Sequence, residues 1–279
     1  MSDEWFAQKL EPYGKGNPED GCHPTEAQAL KEYLRHQTSA SEAARAITLP
    51  IEQSEDPDND LPRLYGFIMD ALIELPEENL DSLVELVKSI EQLPEPDFDA
   101  VDESKRPTHG RLWRGLPGFG HLYSDCDSYR YGEWPKKYQS AESDEQRDRL
   151  RNEYVRRAAV EARLVMAGDS LPIDWGYETV THALERGDCV VELELPAAAQ
   201  WLITAGRRFY EGAKKEEESY ALENNGGLWT GGRVMTLARW LLWRQRLEEL
   251  TGSSQIASIA GKGAVESAVE SMKALGPAE

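Results

Sequence analysis

Apolar residues recur at spacings of three and four along most of this chain, the period of a helix that buries one face. Leu61, Leu64, Tyr65, Ile68, Met69, Leu72 and Ile73 form one stripe, and Leu80, Leu83, Val84, Val87 and Ile90 form a second beyond Pro76. Together they predict an antiparallel helical hairpin closed by a short LPEEN turn. Thr25 with Gln28, and Ser39 with Glu42, have the spacing of capping boxes, in which a side chain satisfies an orphaned backbone N–H. Helices are therefore expected near 25–36 and 39–48, with the acidic stretch 52–60 as the loop that follows.

A long helix is predicted over 144–167 with Gly168 as its stop, and another over 174–186 with Gly187 as its stop. Pro196 suits a first helical turn, so the next helix is placed at 196–217. The run CVVELEL before it alternates like a strand, but one short strand has no sheet to join, and it reads as coil. A further helix spans about 233–251, and a weak one follows Gly263. Between 94 and 140 the period lapses into a linker and then a segment holding Trp113, Phe119, Tyr123, Tyr129, Tyr131 and Trp134, too aromatic to stay unpacked. The expected fold is all-α, an irregular bundle of about eight to nine helices with an aromatic-rich coil in the middle. A flexible acidic arm (1–24), in which Trp5 and Phe6 offer docking points, precedes a helical domain (25–251, with subdomains 25–93 and 109–251) and a tail (252–279).

Charge sharpens this picture. The net charge is −20, and residues 1–104 hold 25 acidic against 7 basic side chains, whereas 105–279 hold 26 against 24. Such a balance repels phosphate backbones and anionic lipid, which argues against nucleic acid and membrane partners. A basic protein is the partner it favours; service to solubility alone is the alternative. At 279 residues the chain buries roughly 75% of its unfolded surface, so its core needs neither disulfide nor metal. Cys22, Cys126 and Cys189 form no CxxC pair, which fits a reducing compartment. MSDEWFAQKL lacks the basic and apolar regions of a signal peptide, and no apolar run approaches about 18 residues. A cytoplasmic address is expected, with the nucleus left open.

Several motifs invite chemistry. GDSLP at 168–172 looks like the nucleophile motif of GDSL esterases, with Ser170 as the attacking hydroxyl. That chemistry needs a preceding strand and a later Asp-x-x-His; here helical residues precede it and the last histidine is His182, so it reads as a helix end and turn. His109, His121, Asp125 and Cys126 are close in sequence, but a coil does not pre-orient them for zinc; loop fixing is expected, with no metal. NNGGLWTGGR at 224–233 has the glycine content of a phosphate cradle without GxGxxG or GK[ST], and reads as a turn that lets Trp229 reach the core. Glu145, Arg149, Glu153, Arg157 and Glu161 are spaced by four and predict a solvated ladder, each pair contributing about 0.2–0.5 kcal/mol. Arg156 and Arg163, on another stripe, suit a carboxylate ligand or a structural ion pair.

Trp201, Trp229, Trp240 and Trp243 on helical patterns mark where several helices converge. Leu237, Trp240, Leu241 and Arg244 share one side of their helix, and Arg239 and Trp243 an adjoining one. Arginine beside tryptophan can hold a carboxylate or cap an aromatic pocket, with plain core packing as the alternative. The candidate pocket is therefore Trp201, Trp229, Arg239, Trp240 and Trp243, together with Trp113, His121 and Asp125 from the middle segment. No cofactor is implied.

The ordered series SASEAARAI, LYGFIMDALIELP, LDSLVELVKSIEQLP, LWRGLPGFG, PAAAQWLITAG, GGLWTGG and RWLLWRQRLEEL resembles a family of uncharacterised filamentous-fungal proteins carried as a domain of unknown function, over most of 38–250. The resemblance implies a fungal intracellular helical protein, from paralogous sets with some members near specialised-metabolite genes, and supplies no catalytic residue. Two function classes remain. A non-catalytic interaction or regulatory protein is expected, because no catalytic motif keeps its context and the first part of the chain is strongly negative. The alternative is a cofactor-independent enzyme, or a binder of a hydrophobic small molecule, with its pocket between the 109–134 segment and the helices at 196–217 and 233–251. Oligomeric state is left open.

Overall fold

A computed structural model of the chain describes residues 3–15, 21–98, 106–126, 133–223, 227–252 and 261–276. Tyr129 and Tyr131 of the aromatic segment, residues 224–226 of the glycine run, the side chain of Cys126 and most of the stretch between 252 and 261 lie outside the described residues. The described residues are all-helical, with twelve α-helices. They divide into two compact units, Met1–Ser128 with Ala167–Leu171, and Tyr129–Met166 with Pro172–Glu279.

The first unit holds α1 (Asp3–Gly14), α2 (Pro24–Leu34), α3 (Ala40–Glu52), α4 (Pro57–Glu74), α5 (Leu80–Glu91) and α6 (Phe119–Cys126). The stripes of α4 and α5 bury Leu61, Leu64, Tyr65, Ile68, Met69, Leu72, Leu80, Leu83, Val84, Val87 and Ile90, as their spacing predicts, and a 3-10 turn at Glu77–Asn79 joins them. Ser39 caps α3 reciprocally with Glu42. The other expected box is displaced: α2 begins at Pro24, and the His23 N–H donates to Glu26 Oε2 at 2.8 Å, a role expected of Gln28. The acidic stretch 52–60 is shorter as a loop than expected, because Asp56 caps a helix that starts at Pro57.

The second unit holds α7 (Glu133–Gln139), α8 (Asp144–Ala167), α9 (Asp174–Glu185), α10 (Val191–Lys214), α11 (Leu237–Thr251) and α12 (Lys262–Leu275). The bounds of α8 match the periodicity, and α9 ends one residue early. By contrast, α10 begins inside CVVELEL and carries Pro196 within it. Glu194 folds back to accept the Val190 N–H, which caps the helix a turn and a half before the proline. Thr236 caps α11, which therefore starts later than the run after Arg233 predicts.

Twelve helices exceed the expected eight to nine because tertiary burial adds elements that local pattern does not announce. A helix as short as α1 is marginal alone. It forms because Trp5 and Phe6 are buried, Trp5 stacks on Phe67 with centroids 5.8 Å apart, and Lys9 reaches Asp70 at 2.7 Å. Part of the middle segment, expected as coil, forms α6 and α7 around Phe119, Trp134 and Tyr138. In the tail, α12 buries Val265, Ala268, Val269 and Met272 and packs on α10 and α11.

The ladder on α8 is solvated only at its start. Glu145 and Arg149 are exposed, but Arg157 lies over the Trp134 ring at 5.9 Å and Glu161 is buried. Residues four apart advance about 40° around a helix of 3.6 residues per turn, so a stripe of this spacing winds from the solvent side to the core within four steps. Among the described residues, no helix is long and apolar enough to cross a membrane.

Candidate functional site

Arg239 sits in the first turn of α11 with its side chain fully buried. Its Nε and Nη2 donate to the two carboxylate oxygens of Glu185 at 2.6 and 2.8 Å. Nη2 also donates to the Leu222 carbonyl at 2.8 Å, and Nη1 to those of Gly232 at 3.0 Å and Val234 at 3.5 Å. A guanidinium has five N–H groups, and all five are engaged. One turn along α11, Trp243 donates its indole N–H to Glu185 Oε1 at 2.6 Å, and the Leu228 N–H meets the Glu185 carbonyl at 2.7 Å. The described part of 222–234 is thus a strap laid across a buried ion pair. Arg239 is its fastener, with no N–H left over for the incoming carboxylate that its place beside tryptophan invited.

Trp229 covers this fastener from outside and does not enter the core. Its ring lies 5.4 Å from the Arg239 guanidinium, and its indole N–H donates to the Gly232 carbonyl at 3.2 Å. Gly231 makes room for that ring, since a Cβ there would fall 2.4 Å from it. Trp201 and Trp240 are fully buried core residues. Phe209 contacts Trp201 and Trp243 with ring centroids 6.2 and 6.1 Å apart, and Tyr210 lies 5.6 Å from Trp240. Leu237 and Leu241, expected on the side of Trp240, are exposed.

The remaining candidates, Trp113, His121 and Asp125, belong to the first unit. Trp113 is fully buried and donates its indole N–H to Glu52 at 3.1 Å. The backbone N–H groups of Leu112, Trp113 and Arg114 converge on the Glu95 carboxylate at 2.7, 3.1 and 2.8 Å. Glu91, four residues earlier at the end of α5, accepts the Asp169 N–H at 3.1 Å and a backbone N–H from Gly115, and burial holds its carboxyl above the usual range. Two glutamates therefore shape the loop before α6. His121 and Asp125 are exposed on α6 itself. GDSLP follows the end of α8, and its Ser170 is buried.

A cleft of about 250 Å³ opens in this unit, lined by Asp58, Leu61, Pro62, Tyr65, Thr108, His109, Pro117, Gly118 and Leu122. Asp58 clasps the loop to α4 by accepting the Thr108 N–H and hydroxyl at 2.7 and 2.6 Å. The second unit has a polar cleft of about 320 Å³ between α9 and the 3-10 turn Tyr220–Leu222 that leads into the strap, lined by Glu178, Thr181, His182, Arg186, Tyr220, Ala221 and Glu223. No tryptophan lines either one. Sequence reasoning missed both; the available signal for the first was LPGFG, a glycine-rich turn set among rings.

It also missed a second buried pair. Arg63 on α4 makes a bidentate contact with Glu26 on α2 at 2.6 and 2.7 Å, with both side chains enclosed. Burial, reinforced by the Glu26 carboxylate, pushes the nearby Cys22 thiol up to about 12.

Comparison with known proteins adds a family without an activity. A family model described as Protein of unknown function (DUF3632) matches residues 65–247. No curated protein and no solved structure matches the chain. The matched span contains the Glu185–Arg239 pair, the strap and the loop before α6, while α1 to α3, the Glu26–Arg63 pair and α12 lie outside it.

Proposed function

We propose, for a chain that belongs to the DUF3632 family of proteins of unknown function, that it is a non-catalytic interaction protein which engages a basic protein partner through its first unit. The distribution of charge carries this reading. The first unit has 28 acidic against 11 basic side chains, a net −17; the second has 23 against 20, a net −3. Exposed carboxylates cluster around Glu52, Glu55 and Asp56 and along Glu74, Glu77, Glu78, Asp81 and Glu85. A field of this kind speeds encounter with a basic surface and weakens as salt screens it. The groups with most chemical promise, Arg239, Glu185 and Trp243, are already engaged as internal fasteners, which supports a role without catalysis. The free thiols of Cys22 and Cys189 suit a reducing compartment such as the cytoplasm.

The test is binding of the full chain to short peptides graded by net charge, followed by fluorescence anisotropy at low and high salt. Affinity should rise with positive charge, fall with salt, and drop several-fold in a Glu55→Gln, Glu77→Gln, Glu78→Gln variant. Equal binding of basic and neutral peptides, or none, would overturn the reading.

A small-molecule role has one observation in its favour, the cleft between α9 and the 3-10 turn Tyr220–Leu222, whose charged lining suits a polar ligand better than the hydrophobic one expected from a tryptophan pocket. Native mass spectrometry of the gently purified protein, compared with its denatured mass, would reveal such a ligand as released mass.

A further inference from the structure

The cleft of the first unit is a socket with one apolar wall on each side. Leu61, Pro62 and Tyr65 of α4 form the first, and Pro117, Gly118 and Leu122 the second. At about 250 Å³ it falls below the roughly 300–1,000 Å³ of sites that enclose a whole drug-sized ligand, and suits a single large side chain.

Its second wall is held in an uncommon backbone. Gly110, Gly115 and Gly118 have φ of 62°, 72° and 82°, and Leu116 has φ of 40°, a region that a side chain bearing Cβ rarely enters. Such geometry persists only where the surroundings impose it. Here they do: Glu95 gathers three N–H groups before the turn, Trp113 is anchored in the core on Glu52, and Phe119 after the turn packs edge-on against Tyr65 with centroids 5.3 Å apart.

Charge is supplied by the unit as a whole, a net −17. Asp58 lies in the lining at the start of α4 and the exposed Glu55 and Asp56 precede it in sequence, while the loop of the second wall carries the exposed Arg111 and Arg114. His109 is the basic residue of the lining. An apolar slot in a unit with 28 acidic against 11 basic side chains is complementary to an apolar side chain carried between cations.

We propose that this socket receives one apolar side chain, Leu, Phe or Trp, of a partner protein segment in which that residue is flanked by Lys or Arg. The proposal rests on the interaction reading above and gives it a docking point. The apolar residue supplies the anchor and the flanking cations supply the approach and the register.

The experiment uses the full chain and fluorescein-labelled peptides with a central Leu, Phe, Trp or Ala between Lys or Arg, and a matched set with Glu flanks. Anisotropy should show the apolar-centred basic peptides binding roughly tenfold tighter than the Ala-centred ones, as burial of one large side chain implies. Leu122→Gln and Pro62→Gln, at half-buried and exposed positions, should keep the circular dichroism and melting of the parent and abolish that preference. Basic peptides that bind equally well with Ala, or whose preference survives both variants, would overturn the socket and leave the interaction reading standing. Apolar-centred peptides that bind as well with Glu flanks would overturn the charge part of the proposal. Failure of every basic peptide to bind would overturn both.

Discussion

Each unit encloses an arginine on a glutamate, yet the two pairs hold different things. Arg63 and Glu26 join helix to helix, α4 to the first turn of α2, and hold one backbone group, the His23 N–H. Arg239 and Glu185 join two helices and also hold three carbonyls of a loop and the indole of Trp243. A buried pair can give way to apolar residues of similar volume, often without loss, but each backbone group it satisfies is orphaned when it goes, one in the first unit and three carbonyls in the second. The buried pair of the first unit thus works mainly side chain to side chain, in a unit of net −17, whereas that of the second works mainly on backbone, in a unit of net −3.

The largest expected effect tests that contrast directly. Arg63→Leu and Arg239→Leu should each destabilise their unit by about 3–5 kcal/mol in urea unfolding, with Arg239→Leu at or above the upper end. Glu26→Leu combined with Arg63→Leu should recover much of the loss, short of what the His23 N–H at the start of α2 costs once Glu26 is gone. Glu185→Leu combined with Arg239→Leu should not, because the strap carbonyls and the Trp243 N–H stay unmatched. Equal recovery in both units would break the comparison.

Glycines sharpen it at smaller scale. In the second unit a Cβ on Gly176 would fall 2.5 Å from the Trp201 ring and 2.7 Å from Phe209, so Gly176→Ala should cost about 1–3 kcal/mol. In α4 of the first unit nothing lies within 4 Å of a Cβ on Gly66, so Gly66→Ala should gain about 0.5–1 kcal/mol of helix stability. Thermal melts would read both.

Two carboxylates should shape the pH profile in opposite senses. Glu91 in the first unit is held above its ordinary range by burial, so its folded state favours the proton, and stability should fall as pH rises from the ordinary carboxylate range to the raised one. Glu217 in the second unit is held below its ordinary range by the Arg208 guanidinium, so its contribution is present above the ordinary range and lost as pH falls through the lowered one. Glu91→Gln should flatten the first slope and Glu217→Gln the second, measured by urea midpoint against pH.

The smallest effect is chemical. Cys22 is enclosed, with its thiol pushed up to about 12, whereas Cys189 is only partly buried. Maleimide should label Cys189 well before Cys22, and Cys22 at the rate at which its unit opens; peptide mapping by mass spectrometry distinguishes them.

What the chain announces locally was legible. The stripes of α4 and α5, the Ser39 cap and both ends of α8 follow from period and capping within a single element. What depends on a distant partner was not. Glu26 and Arg63 are 37 residues apart, and Glu185 and Arg239 are 54 apart, with no local pattern linking either pair. Pro196 suggested a helix start, but Glu194 caps α10 earlier and the proline is carried inside. Arg239, Trp240 and Trp243 were recognised as belonging together, but as a pocket; the partner that makes Arg239 and Trp243 a fastener, Glu185, lies at the end of another helix. Trp113, His121 and Asp125 were grouped with them on composition, although contacts place them in the other unit.

The central claim, that the second unit is a backbone-fastened scaffold and the first unit binds, is tested most directly by hydrogen–deuterium exchange of the full chain with and without the tightest basic, apolar-centred peptide. Slowed exchange at 57–65 and 106–122, with 178–186 and 218–243 unchanged, is the predicted result. Protection confined to 178–186 and 218–243 would contradict it and place binding on the strap.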